Sequence, residues 1–231
     1  MTLIATVGPV GCLASGGLDS CVMLARLLAE GRRVQPFYVR CGLGWEEDEL
    51  AGLRRFLASL GSDTSASAGA LAELVVLEMP LADLYGGHWS VTGREVPDDT
   101  TPDEAVFLPG RNILLAVKPA IWCQMHGIDH LALGTLRSNP FPDATGPFFA
   151  AFQEALSRGG GVGLEIIRPL EHLDKTAVIR LGRDWPLDQT FSCIAPQLGL
   201  HCGRCNKCAE RVAAFRAAAI PDSTRYHSLP I

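Results

Sequence analysis

Residues 7–31 read Val7-Gly-Pro-Val-Gly-Cys-Leu13, then Ala14-Ser15-Gly16-Gly17-Leu18-Asp19-Ser20, then CVMLARLLAEG ending at Gly31. The first block is a short β-rich run. The last carries apolar residues at Val22, Met23, Leu24, Leu27 and Leu28 and closes on a glycine, a helical pattern expected over Asp19 to Glu30. Between them, two adjacent glycines let backbone N–H groups close around an anion without interference from a Cβ. The helix start aims its positive end at the same place. Ser15 and Ser20 add hydroxyls, and Asp19 is suited to a Mg²⁺ that bridges phosphates. The plainer reading of the same residues is a strand-to-helix turn with a polar cap. The stretch fits neither GxxxxGK[ST] nor GxGxxG.

Outward from this loop the chain goes on alternating. Strands are expected over Val34 to Arg40 (weakened by Pro36), Leu74 to Met79, Leu131 to Leu136 and Leu164 to Arg168. Helices are expected over Glu46 to Leu60, Arg111 to His126, Pro147 to Leu156, Asp174 to Gly182 and Ala209 to Ala219. Ser62 to Ala70 reads as a flexible loop, and Pro80 to Gly110 as a long irregular stretch of the kind that serves as a lid or binding loop. Strands alternating with helices imply a mostly parallel sheet covered on both faces. The fold class expected is therefore α/β, three layers, with a main domain over 1–189 and a small helical subdomain over 190–231.

The eight cysteines are unevenly placed. Cys12, Cys21, Cys41 and Cys123 are scattered, whereas Cys193, Cys202, Cys205 and Cys208 form a Cys-x8-Cys-x2-Cys-x2-Cys run. Four thiolates in so short a span suit a closed tetrahedral zinc site, with an iron–sulfur cluster as the competitor. Gly203 eases the turn, Arg204 and Lys207 offset thiolate charge, and His201 reads as a bystander.

The chain has 231 residues, 48% hydrophobic and 19% charged, with a formal net charge of −5. These values exclude disorder, and no basic run marks a nucleic-acid-binding protein. The N-terminus lacks a basic signal-peptide region and no apolar run reaches membrane length, so a cytoplasmic protein without a membrane partner is expected.

Ser15 to Ser20 resembles the SGGxDS signature of PP-loop ATP pyrophosphatases. That resemblance implies an adenine-nucleotide-hydrolase-like fold, in which Ala14 to Ser20 bind the pyrophosphate of ATP. With Phe107-Leu-Pro-Gly-Arg-Asn112, Pro169-Leu170, Asp174-Lys175, Phe191-Ser-Cys193 and Ile220-Pro221-Asp222, all in order, the whole chain resembles the 7-cyano-7-deazaguanine synthase family. The resemblance implies ATP-dependent conversion of 7-carboxy-7-deazaguanine to the nitrile with ammonia, through an acyl-adenylate and an amide. It also implies structural Zn²⁺ on the four cysteines, Mg²⁺ with ATP, and a homodimer. Asp19, Arg111 and Lys175 are the candidate catalytic residues, Arg111 as an anion clamp and Lys175 as a phosphate ligand. Asn139 and Asp143 are candidates for the substrate, although the stretch Gly134 to Thr145 lacks the Cys and Arg that the family carries there. Other readings are an amide ligase that uses a different carboxylate or amine, a nucleic-acid thiolation enzyme employing Cys12 or Cys21, and a zinc-stabilised interaction module.

Overall fold

Cys12 at the centre of β1 (Val10–Leu13) lies beside Pro36 of β2 (Val34–Arg40) on one side and Ala132 of β4 (His130–Ala132) on the other. β3 (Val75–Glu78) adds to β2, and β5 (Glu165–Ile167) adds to β4. The computed structural model, which describes residues 8–61 and 70–229, thus holds a five-stranded parallel sheet in the order β3-β2-β1-β4-β5. The expected Ser62 to Ala70 loop lies, but for Ala70, outside the described residues, as does Val7 of the expected first strand.

Pro36 does not break β2. Its missing donor falls in the gap between the bridge Val34–Leu71 and the first β3 pair, Phe37–Val75. The Glu73 carbonyl in that gap accepts from Gln35 Nε2 at 2.7 Å instead. β4 is shorter than the expected Leu131 to Leu136. Its chain leaves the sheet to pass over the start of α1 (Leu18–Ala29), where a Cβ on Gly134 would sit 3.3 Å from Ser20 N.

Helices cover both faces. α1, α2 (Glu46–Gly61), α7 (Lys175–Leu181) and α8 (Asn206–Ala218) share one apolar cluster with Cys12 and Val34. α5 (Arg111–Met125) and α6 (Gly146–Gly160) pack on the other face around Phe37, Leu131 and Ile166. α1 is buried nearly all round, from Leu18 to Leu28. A helix so apolar belongs at the centre of a fold, where each large side chain contributes roughly 1.5–3 kcal/mol. The long stretch after β3 carries two single-turn helices, α3 (Ala82–Tyr85) and α4 (Trp89–Thr92), and a 3₁₀ turn at Asp103–Val106. No helix among the described residues is long and apolar enough to cross a membrane.

The sheet order reverses at β1. In open parallel sheets a crevice opens where two neighbouring strands send their chains to opposite faces, beyond the strands' carboxyl ends. Here that place is bounded by the loops that follow β1 and β4.

Candidate active site

The loop after β1 is built from its own serines. Ser15 N donates to Ser20 Oγ at 3.2 Å, the two hydroxyls lie 3.1 Å apart, Gly17 N donates to Ser15 Oγ, and Ser20 Oγ donates to the Gly17 carbonyl. Both hydroxyls are thus engaged in shaping the loop. Gly16 has φ +87°, and a Cβ there would stand 2.7 Å from the Glu49 carbonyl, so only glycine fits. Its own carbonyl accepts from Phe191 N at 2.7 Å, which ties the loop to the segment leading into the four cysteines. Gly17 is the N-cap of α1 and supplies no side-chain cap. The first-turn N–H groups of a helix have no partner within it, so this end offers donors and a positive dipole to an anion. Ala14 is buried, with its N–H on the Phe37 carbonyl, and Leu18 lines the crevice.

The crevice has two adjoining chambers of about 300 and about 230 Å³, both walled by Gly17, Asp19, Glu49, Arg111, Gly134 and Asn139. Of the sequence candidates, Asp19, Arg111, Lys175 and Asn139 meet here. Lys175 Nζ lies 2.6 Å from Asp19 Oδ2 and 3.2 Å from Glu210 Oε1. Burial pulls the Lys175 pKa down, but the two carboxylates outweigh it and hold the ammonium above the ordinary lysine value. Burial pushes Glu210 up, yet Lys175 and Lys207, whose Nζ is 2.8 Å away, bring it down to about 2. The other carboxylate oxygen of Asp19, Oδ1, is buried with no hydrogen-bond partner among the described residues. A buried anionic oxygen left so is costly unless a ligand or cation meets it.

Arg111 opens α5 with its guanidinium 5.7 Å from the centre of the Trp45 ring, which is stacked on Trp89. Glu49 stands near it and accepts from Tyr38 Oη at 2.8 Å. Burial raises its carboxyl to about 7, against the opposing pull of Arg111 and Tyr38. Asn139 turns its Oδ1 to Phe141 N at 3.0 Å. Asp143 is placed differently from the other candidates: it is buried against the first turn of α5, where its Oδ2 accepts from Asn112 N.

The four cysteine sulfurs lie within 4.8 Å of one another, all buried. Cys193 and Cys205 Sγ are 3.8 Å apart, and Cys202 and Cys208 Sγ 3.9 Å. A tetrahedron with Zn–S bonds of about 2.3 Å has edges of about 3.8 Å. Backbone N–H groups of Ala195 and Cys202 point at Cys193 Sγ, and those of Arg204 and Cys205 at Cys202 Sγ, as thiolate charge requires. The group can hold a metal ion and its donor set fits zinc. His201 takes no part: its Nε2 accepts from Ser192 N, and burial, helped by the Arg211 charge, lowers its pKa to about 3. Lys207 extends to Glu210 at the crevice.

Sequence reading passed over Glu49, Glu210 and Arg211. Arg211 is 1% exposed and donates to Thr224, Thr190, Ser192 and the Leu187 carbonyl, locking α8 to the segment before the cysteines. A signal for it existed, since Cys208, Arg211, Phe215 and Ala218 fall on one helical face that is otherwise apolar. Glu49 and Glu210 had none beyond being acidic residues on helices.

A parallel α/β sheet with an uncapped, glycine-shaped loop at its switch point, joined to four clustered cysteines, defines a PP-loop enzyme of the ATP-using kind whose C-terminal segment can hold a metal ion. Residues 10–219 match the model of the family described as queuosine biosynthesis protein QueC. The chain belongs to that family. It is 31% identical to 7-cyano-7-deazaguanine synthase of Syntrophobacter fumaroxidans, over 93% of this chain and 94% of that one. It is 30% identical to the enzyme of the same name from Thiobacillus denitrificans, over 93% and 96%. Among solved structures, a 4-thiouridine synthetase–RNA complex with bound ATP aligns with TM-score 0.49 and 16% identity, over 92% of this chain and 50% of that one.

Proposed function

We propose that this chain is itself a 7-cyano-7-deazaguanine synthase, converting 7-carboxy-7-deazaguanine, ammonia and ATP to the nitrile through an acyl-adenylate and an amide. The observation that carries the reading is the partnerless Asp19 Oδ1 beside the uncapped start of α1, at the crevice where Lys175 and Arg111 meet. Such a place suits an anion with its cation, and membership of the queuosine-biosynthesis family supports the reading.

Mg²⁺ bound with ATP would supply charge neutralisation at the phosphates, with Asp19 as its protein ligand. The chain's own groups do the rest. The first-turn N–H groups of α1 and Lys175 cradle the pyrophosphate, and Arg111 clamps an anionic oxygen with its planar fork. Activating the carboxylate as a mixed anhydride with AMP releases pyrophosphate and makes AMP the leaving group when ammonia attacks. A second ATP then activates the amide oxygen in the same way, so that it departs with AMP, the nitrogen loses its protons and the nitrile forms. No protein nucleophile is needed, and positioning and charge neutralisation dominate. Asn139 faces the acceptor. Asp143 acts on it through α5. The four cysteines hold a structural Zn²⁺ that secures 190–231 as a subdomain against the crevice.

The test is an end-point assay with ATP, Mg²⁺, ammonium and 7-carboxy-7-deazaguanine, read by mass spectrometry. Nitrile, AMP and pyrophosphate are expected. Product stopping at the amide would assign the chain to an amide ligase, and absence of AMP would overturn the substrate assignment.

A further inference from the structure

Lys175 is shared between two carboxylates from distant parts of the chain. Asp19 comes from the phosphate loop and Glu210 from α8, just after the last cysteine. Glu210 is in turn held by Lys207 from its own helix, so the four side chains alternate in sign as Asp19, Lys175, Glu210, Lys207, all on the crevice wall. Only one oxygen of Asp19 is used in this chain of charges, and the other is the buried Oδ1 without a partner.

An ammonium with one anionic partner clings to it; with two it is shared. We infer that Glu210 is a positioning residue that shares the Lys175 charge, so that the ammonium paired with Asp19 Oδ2 does not fully neutralise Asp19 and its Oδ1 stays available to a divalent cation arriving with nucleotide. Without the Glu210 charge, Lys175 loses the carboxylate that stands between it and Lys207. Lys175 then falls fully onto Asp19, and the cation must compete with it. Removing one negative charge from the wall also makes the crevice more attractive to a nucleotide that carries no cation. The two effects have opposite signs, which a mere loss of folding cannot mimic. The inference rests on the reading of the crevice as a Mg²⁺–nucleotide site.

The experiment is calorimetric binding of a non-hydrolysable ATP analogue to the full chain, with Mg²⁺ and with EDTA, for wild type, Glu210→Gln and Glu210→Asp. The quantity read is the gain in affinity that Mg²⁺ confers. Wild type should show a clear gain, Glu210→Gln a gain at least about fivefold smaller with unchanged or tighter EDTA binding, and Glu210→Asp an intermediate value. Melting temperatures control for folding; should the Gln variant not fold, the intermediate Asp value carries the test. An unchanged gain in the Gln variant, or parallel weakening with and without Mg²⁺, overturns the role of Glu210 and leaves the nucleotide site standing. Absence of binding to wild type under either condition overturns the nucleotide site itself.

Discussion

The backbone N–H of Asn112 donates to Asp143 Oδ2 at 3.0 Å, and Asn112 Nδ2 donates to the Asp143 carbonyl at 2.9 Å. These two bonds join the 3₁₀ turn Pro142–Ala144 to the first turn of α5, next to Arg111. They perform the service that an N-cap side chain performs, but from 31 residues away. Asp143→Ala should therefore cost about 1–2 kcal/mol in denaturant unfolding, since it removes a charged acceptor from a helix start. Asp143→Asn keeps an acceptor and should recover part of this. If Asp143 served only the substrate, the Ala variant would unfold at the wild-type denaturant midpoint.

Arg111 occupies the crevice at the place where that helix start aims it, over Trp45 and beside Glu49. Arg111→Ala removes a pre-placed donor fork from developing charge and should lower kcat/KM for ATP-dependent product formation by about 10²–10³-fold. Arg111→Lys keeps the charge but loses the fork and the stacking, and most of the loss should persist. Steady-state kinetics on the three proteins checks this. Full activity of the Lys variant would reduce Arg111 to a point charge.

Local pattern was enough for the elements that carry their own signal. β2 lies over Val34–Arg40 as expected, and α1 and α5 lie within a residue of their expected bounds, because apolar spacing and flanking glycines are properties of a few adjacent residues. The glycine pair and the four cysteines were legible for the same reason: their chemistry needs residues close in sequence. The crevice's other half was not. Glu210 reaches Lys175 only because α8 packs on α7, and Asp143 reaches Asn112 only because the chain folds back over α5. Neither pairing leaves a local trace. α8 also begins at Asn206, earlier than the expected Ala209, because the thiolate loop runs directly into it with Cys205 as N-cap.

Glu49 should leave a signature in the pH dependence of stability. Its carboxyl rises from 4.5 to about 7, chiefly through burial, with Arg111 and Tyr38 opposing. A carboxyl raised in the folded state binds protons there that the unfolded chain has released. Its contribution is fully present below about 4.5 and is lost as pH rises through about 7. The shift sets a ceiling of about 3 kcal/mol, and solvent reaching the partly exposed side chain makes the effect smaller. Glu49→Gln should flatten this part of the curve, so that its melting temperature gains on wild type between pH 5 and about 7.5. Parallel curves for the two proteins would place the Glu49 titration outside this window.

The purified protein should hold one zinc per chain and show no visible absorption of the kind an iron–sulfur cluster gives. The four-cysteine segment also supports the long stretch after β3. Asp98 bridges to Cys205, Asp99 N donates to the Arg204 carbonyl, and Asn206 N donates to the Pro97 carbonyl. Cys205→Ser or chelation should therefore lower thermal stability and speed hydrogen exchange at the amides of Asp99 and Asn206 together. Retention of slow exchange there after metal removal would show that the thiolate loop stands without its ion.

The remaining thiols separate the ligase reading from nucleic-acid thiolation, which requires a reactive cysteine near the phosphate loop. Cys12 and Cys21 are both fully buried, and burial raises both thiols far above the ordinary value, Cys21 further through its neighbour Cys12. Cys41 and Cys123 are raised as well, to about 11 and about 12, again by burial first. The thiolate is the nucleophile, so at neutral pH each of these side chains is both sheltered and protonated. Mild alkylation of the native, metal-loaded protein should leave all four unmodified by peptide mass, and the same reagent should modify them after denaturation. A Cys12→Ala or Cys21→Ala variant should then keep its ATP-dependent activity within a few-fold of wild type, the residual loss reflecting the small cavity left in the core. Rapid native labelling of Cys12 or Cys21, coupled to loss of activity in the matching variant, would return the thiolation chemistry to contention and displace ammonia as the nucleophile.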